Sequence, residues 1–156
     1  MFDSERIKEE NELMKKYGLK NKREIWKADA LVKKIREHAK TFITASTSEQ
    51  EKFILRLAEK GFLKKNSRID DVLDLKMENM LDRRLQTIVL KKGLAKTAKE
   101  ARQAIVHRRV FVNKHVVNIP SYLVNLKEEN SVELRKKEKK EKKKEKAVVE
   151  AGVKNA

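Results

Sequence analysis

Up to His107 the apolar residues of this chain recur at the three-and-four spacing of a helix, and from Val110 onward they alternate. A period of 3.6 residues gathers apolar side chains on one stripe of a helix, whereas a period of two lays them on one face of a strand. A long helical stretch followed by a few short strands makes this an α+β chain.

Ser4 to Ala45 reads as a helical hairpin. Ile7, Leu13, Met14 and Tyr17 share one stripe, and Gly18 stops the first helix before Leu19, because glycine takes the left-handed backbone that closes a helix. The second helix starts near Asn21 or Lys22 and is expected to turn Ile25, Trp26, Leu31, Val32, Ile35 and Phe42 inward, with Lys27, Lys33, Lys34 and Arg36 outward. The single Trp26 reads as a core anchor, since its large area dominates packing, with stacking on a nucleic-acid base as the alternative.

A third helix opens on the capping box Ser48-Glu49-Gln50-Glu51, buries Phe53, Ile54, Leu57 and Ala58, and closes at Gly61. Ile69 to Leu75 reads as a short helix or connection. Its Asp70, Asp71 and Asp74 lie where acids favour a helix dipole, and no companion group turns them into a metal or acid–base site. One helix from about Met77 to Lys92 is expected to bury Leu81, Leu85, Ile88 and Val89 and to end at Gly93. A second capping box, Thr97-Ala98-Lys99-Glu100, opens a helix to about His107 with Ala101, Ala104 and Ile105 inward, small residues that let two helices approach closely.

The strands are Val110 to Val112, a turn at Asn113-Lys114, Val116-Val117, and Ser131 to Leu134, with Pro120 between strands where a missing amide does least harm. The expected organisation is a helical lobe over 1–79, a module of two packed helices with a small, largely antiparallel sheet over 80–134, and a basic tail over 135–156. Arg135 to Lys146 carries nine basic and three acidic residues, a run that cannot bury a core and reads as disordered or solvated when free.

Charge narrows the function. With 40 Lys and Arg against 24 Asp and Glu, the chain of 156 residues carries a formal net charge of +16, which calls for a polyanionic partner. Nucleic acid fits better than a membrane, because the chain has no apolar span of the ~18 residues that a bilayer requires. Its first residues lack the order of a secretion signal and it has no cysteine, which points to the cytoplasm. His38, His107 and His115 are scattered, so no metal and no cofactor are expected. His107 has no nucleophile or orienting carboxylate beside it and reads as supporting a helix end or donating to RNA, not as a catalytic base. No catalytic residue and no small-molecule substrate is expected.

The positive charge is concentrated. From Arg83 to His115 there are ten Lys or Arg against one acid, Glu100. Helical spacing puts Arg84, Thr87 and Lys91 on one side of the first helix of the module and Lys99, Arg102 and Val106 on one side of the second, a continuous cationic ridge once the apolar stripes pack. Backbone amides near Lys96 and Thr97 would add a phosphate site, and arginine can bind phosphate in a bidentate way or stack on an unpaired base.

The run Leu81-Asp82-Arg83-Arg84-Leu85, then Lys92 to Thr97, Glu100-Ala101-Arg102-Gln103 and Val106-His107 resembles the RNA-binding module named after ribosomal small-subunit protein S-four. Val112-Asn113, Val117-Asn118 and Ile119-Pro120-Ser121-Tyr122 resemble that ribosomal family in particular, and Arg6-Ile7, Glu9 to Leu13 and Lys16 to Trp26 look like its archaeal and eukaryotic branch. The resemblance covers about residues 4 to 134. It implies a helical lobe plus the module, a structural, non-enzymatic role in the small ribosomal subunit of the cytoplasm, and direct binding of small-subunit ribosomal RNA early in assembly, near where the messenger enters. It also implies neighbouring small-subunit proteins, small-subunit protein five among them, and a contribution to translational accuracy.

Charge and resemblance together nominate Arg83, Arg84, Gln86, Thr87, Lys91, Lys96, Thr97, Lys99, Arg102, His107, Arg108, Arg109 and Lys114 for RNA contact. This chain departs from the module at three places: Gln86-Thr87 stand where Asp-Asn is frequent, Arg108 where glycine follows the histidine, and Asn113-Lys114 where Asn-Gly is usual. Glycine is the residue favoured for positive φ. The same module is also fused to pseudouridine synthases and some tRNA synthetases, but an RNA-modifying enzyme needs a separate catalytic domain, and residues 1–79 are helical and basic. A free-standing assembly or stress factor is the third reading.

Overall fold

The computed structural model describes residues 4–64 and 67–135; of the expected basic tail only Arg135 is among them, and the rest lies outside. Helix α1 (Ser4–Tyr17) ends at Gly18, whose φ is +61°, and Leu19 N donates to Met14 O at 3.0 Å across the turn. Helix α2 (Lys22–Ile43) starts at Asn21, whose side chain accepts from Arg23 N at 3.0 Å. Helix α3 (Thr47–Glu59) has its N-cap, Ser46, two residues before the expected one, Ser48, and the expected capping box does not form; the Gln50 side chain donates back to Ile43 O at 3.3 Å and Ala45 O at 3.2 Å. Those carbonyls at the end of α2 would otherwise lack donors. Gly61, at φ +77°, closes α3 as expected, with Phe62 N donating to Leu57 O at 3.1 Å. In α4 (Ile69–Leu73), the Asp71 carboxylate accepts from Arg68 N at 2.7 Å, so the acid serves as a cap.

The single helix expected over Met77 to Lys92 is two: α5 (Met77–Asp82) and α6 (Leu85–Lys91). A strand-like segment far along the chain inserts at the break. Arg84 bridges to Leu123, Val124 N donates to Arg83 O at 3.0 Å, and Leu85 N and Gln86 N donate to Tyr122 O at 2.8 Å and Pro120 O at 3.4 Å. The first amides of α6 are thus satisfied by residues about forty positions away, and the Thr87 hydroxyl takes up the Leu81 carbonyl at 2.7 Å. Helical periodicity continues across the break because Leu81, Leu85 and Ile88 are all buried, so periodicity alone could not show it.

Helix α7 (Ala98–Val106) packs on α6 and leads into β1 (Val110–Val112), β2 (His115–Val116), α8 (Leu126–Glu129) and β3 (Glu133–Leu134). The sheet runs β2-β1-β3, antiparallel throughout, with Val112 opposite His115 and Val110 opposite Leu134. Asn113 and Lys114, at φ +50° and +67°, form a two-residue hairpin of the primed kind whose twist matches the strands. One apolar cluster lies within residues 85–134, built on Leu85, Ile88, Val89, Ala101, Ile105, Val110 and Val124. Two others lie in the helices before it, one around Val32, Leu57, Val72 and Met80 and one around Tyr17, Leu19, Ile25 and Leu81; Leu123 reaches back to the former.

Three residues of α2 are not where periodicity put them: Trp26 is 49% exposed and Leu31 37% exposed, while Ile25 and Val32 are buried, and Arg36, expected outward, is half-buried and donates to the Leu75 carbonyl. Helix α2 turns its buried stripe toward α4 and α5 over only part of its circumference, so residues at the stripe's margin stay in solvent.

Gly18 is where α1, α6 and α7 converge. A Cβ there would lie 2.7 Å from Ala98 Cβ and 3.1 Å from the Ala98 backbone, whereas one at Gly93, at φ +68°, would meet nothing. Gly93→Ala is expected to cost about 1 kcal/mol of conformational strain, and Gly18→Ala distinctly more, because backbone must also move. Urea unfolding of the two variants checks this, and equal losses would mean that the junction yields freely.

Candidate nucleic-acid interface

Four of the nominated residues face inward. Arg83 lies over Gly61, and its Nη1 pairs with Glu129 Oε2 at 2.6 Å while Nη2 donates to Val124 O at 2.7 Å. Arg84, 6% exposed, pairs with Glu24 of α2. Gln86 is 1% exposed, and its Nε2 donates to the carbonyls of Tyr17 and Gly18 at 3.1 Å and of Ala98 at 2.9 Å. Thr87 is also buried, on the Leu81 carbonyl. The expected ridge of Arg84, Thr87 and Lys91 is therefore not a surface. The helix break turns Arg84 toward Glu24 of α2 and Thr87 onto the Leu81 carbonyl of α5, so the same charge that suited RNA meets a carboxylate instead.

Arg102 shares that carboxylate. Its Nη2 lies 2.8 Å from Glu24 Oε1, and its Nη1 reaches Glu24 Oε2 at 3.3 Å and Gln86 Oε1 at 3.4 Å. Burial pushes the Glu24 carboxyl up, but the hydrogen bonds and charges of Arg102 and Arg84 outweigh it and hold the group below the usual carboxylate range. Arg102 keeps part of its side chain in solvent, on the rim of a 430 Å³ groove that Glu24, Leu31, Arg84, Pro120 and Leu123 also line.

The remaining cations face outward. Lys92, Lys96, Lys99, Arg108 and Lys114 are exposed and Arg109 is partly so, and among the described residues none of the six is paired with an acid. Lys91 is exposed but lies 3.3 Å from Asp82. Helix α7 sets out the series: Lys96 and Lys99 at its start, His107 as its C-cap, Arg108 and Arg109 just beyond. Its nine residues extend ~13 Å at 1.5 Å each. The Thr97 half of the expected capping box holds it, with Thr97 Oγ1 accepting from Glu100 N at 3.2 Å. The Glu100 carboxylate, however, accepts from Lys96 N at 2.8 Å, so that amide is not open to a phosphate as the spacing had implied.

Two of these cations stand on left-handed backbone. Arg108 has φ +55° and Lys114 +67°, conformations that cost an L-residue roughly 1–2 kcal/mol and glycine almost nothing. They are two of the positions where the sequence departs from the module's glycines. Sequence reasoning missed Glu24, one of three acids on a mainly basic helix with no local signal of its role, and it missed the 120–124 segment as the partner of α6.

Residues 83–130 match the S4 domain family. Over 139 residues the chain is 45% identical to small ribosomal subunit protein uS4 of Nanoarchaeum equitans, spanning 85% of this chain and 77% of that protein. The like-named proteins of Methanothermobacter thermautotrophicus and Methanococcus aeolicus are 42% identical over 135 residues and 47% identical over 133, spanning 79% and 75% of their own lengths.

A carboxyl with a depressed folded value contributes stability that is present above its unfolded value, ~4.3, and lost as pH falls through the folded one. Glu24→Gln leaves the Arg84 charge buried without its partner and is expected to cost about 3–5 kcal/mol at neutral pH. Its stability should also fall less than the parent's as pH is lowered from 5 through the carboxylate range, ~4.3 and below, as denaturant titrations at stepped pH would show. Arg108→Gly and Lys114→Gly should each raise stability by about 0.5–1 kcal/mol, strain relief less the entropy of a freer unfolded chain, while weakening RNA binding. A gain in stability with unchanged affinity would remove these two residues from the interface.

Proposed function

The chain belongs to the family of small ribosomal subunit protein uS4, and on that premise we propose that it is a structural constituent of the small ribosomal subunit rather than an enzyme, bound directly to small-subunit ribosomal RNA. The observation that carries this is the set of exposed cations around α7 and the β1–β2 hairpin, unpaired with acids among the described residues, on a chain of net charge +16. Charges held by a packed helix and a two-residue turn lose little entropy on meeting phosphates, so the interface suits folded RNA read by shape and backbone rather than by base sequence.

Lys92, Lys96, Lys99, Arg108, Arg109 and Lys114 would contact phosphate, with Thr97 and His107 as neutral donors between them and Lys91 and Arg102 at the margin. Arg83, Arg84, Gln86 and Thr87 act indirectly, by holding α6 and α7 in place. Binding to RNA alone, before other proteins, follows from an interface that the chain carries preassembled, and the finer proposals rest on it: early binding that nucleates assembly, small-subunit protein five as a neighbour, a contribution to translational accuracy, and residence in cytoplasmic subunits. The division into a lobe over 1–79 and a module over 80–134 belongs with these proposals; the apolar cluster that begins at Leu85 supports a module, while Met80, Leu81 and Leu123 pack with the helices before it.

Filter binding and footprinting on naked small-subunit ribosomal RNA test the proposal. The logarithm of affinity should fall linearly with that of salt with a slope on the order of −4 to −5, as six phosphate contacts release counterions. Reversing Lys99 and Arg109 together should flatten that slope and weaken binding at least about tenfold without lowering the melting temperature. Reversing Arg84 should unfold the protein. A flat salt response, or full affinity in the Lys99 and Arg109 variant, would overturn the interface.

A further inference from the structure

Trp26, the only tryptophan, lies on α2 outside the α7 interface and belongs to no apolar cluster. It is half exposed, yet its ring is not loose. Its Nε1 donates to Glu10 Oε1 at 3.0 Å, and Glu10, itself 7% exposed, is held in turn by Arg6 Nε at 3.1 Å and Lys22 Nζ at 3.1 Å. The indole is thus clamped by its polar edge while much of its surface stays in water. An indole serving only the core would bury its body, because its large area is the source of its packing energy. Four residues on, where a longer side chain would fold back over the ring, stands Ala30.

The surroundings say what would lie on it. Lys22, one turn before, and Lys33, two turns after, flank the ring on the same helix, and Lys33 is paired with Asp29 at 2.9 Å. Beside the indole is a 310 Å³ hollow floored by Leu13, Ile25 and Met77. A flat, apolar-faced group fits a fixed aromatic ring beside an apolar floor, where Arg6 and Lys33 stand among the carboxylates of Glu9, Glu10 and Asp29. We propose that Trp26 is a stacking platform for one unpaired base of the bound RNA, a second contact remote in sequence from the α7 interface; this rests on the RNA-binding reading above. Base–aromatic stacking is tolerant of base identity because every base presents a π face, while Glu9, at the rim of the hollow, offers an acceptor to an exocyclic amine.

A single tryptophan makes the test direct. The full chain is titrated with naked small-subunit ribosomal RNA while tryptophan emission and filter binding are followed together. Expected are quenching of Trp26 that saturates with binding, affinity lowered about tenfold in Trp26→Ala, and affinity within about threefold of the parent in Trp26→Phe, which keeps a ring but not the indole amine. Thermal unfolding of both variants separates lost contact from lost fold. If RNA binds while emission and the affinity of Trp26→Ala are unchanged, the platform is overturned and RNA binding by α7 stands. If emission changes only when other small-subunit proteins are added, Trp26 belongs to a protein interface and the platform is again overturned. If no RNA binds, both readings fall together.

Discussion

One carboxylate, Glu24, receives two guanidinium groups, and the arrangement of the helices depends on it. It stands in the first turn of α2, while Arg84 caps α6 and Arg102 lies mid-way along α7, so a single side chain ties three helices from distant parts of the chain. A guanidinium as buried as that of Arg84 is tolerated only with a charged partner and good hydrogen bonds, and here Nε still has no partner among the described residues. Gln86 completes the junction through carbonyls of both the α1–α2 turn and α7, a neutral bridge beside the ionic one.

This junction sorts the positive charge. Arginines that meet an acid inside, Arg83 with Glu129 and Arg84 and Arg102 with Glu24, are committed to the fold. The cations on the outer side of α7 and on the hairpin meet no acid among the described residues. Membership of the uS4 family explains why so basic a chain still buries salt bridges: the protein must hold a defined shape before and after RNA covers it, and the internal pairs keep their strength where surface pairs would be screened.

The helices before α5, the N-cap of α7 and the β1–β2 hairpin were legible because their signals are local. A glycine at Gly18 or Gly61, Thr97 followed three residues later by Glu100, and alternating valines after Arg108 each act within a few positions. The apolar cluster of the α6–α7 module was legible too, since periodicity marks its members. The candidate site was only half legible. The exposed members of the cationic run stayed where spacing put them, but Arg83, Arg84, Gln86 and Thr87 did not, and Trp26 and Leu31 came out on the surface instead of the core.

The sequence by itself determined the class of fold, the order of helices before strands, the concentration of charge and the kind of partner, because composition, period and capping act through neighbours in the chain. Only the tertiary structure decided which arginines stay exposed and which pair within the protein, and where α5 gives way to α6. Those outcomes depend on Glu24 meeting Arg84 sixty positions away and on Tyr122 and Pro120 supplying carbonyls to α6. A side chain's affinity for an anion is local chemistry, but which anion it meets is set by the packing of apolar faces that bring distant segments together.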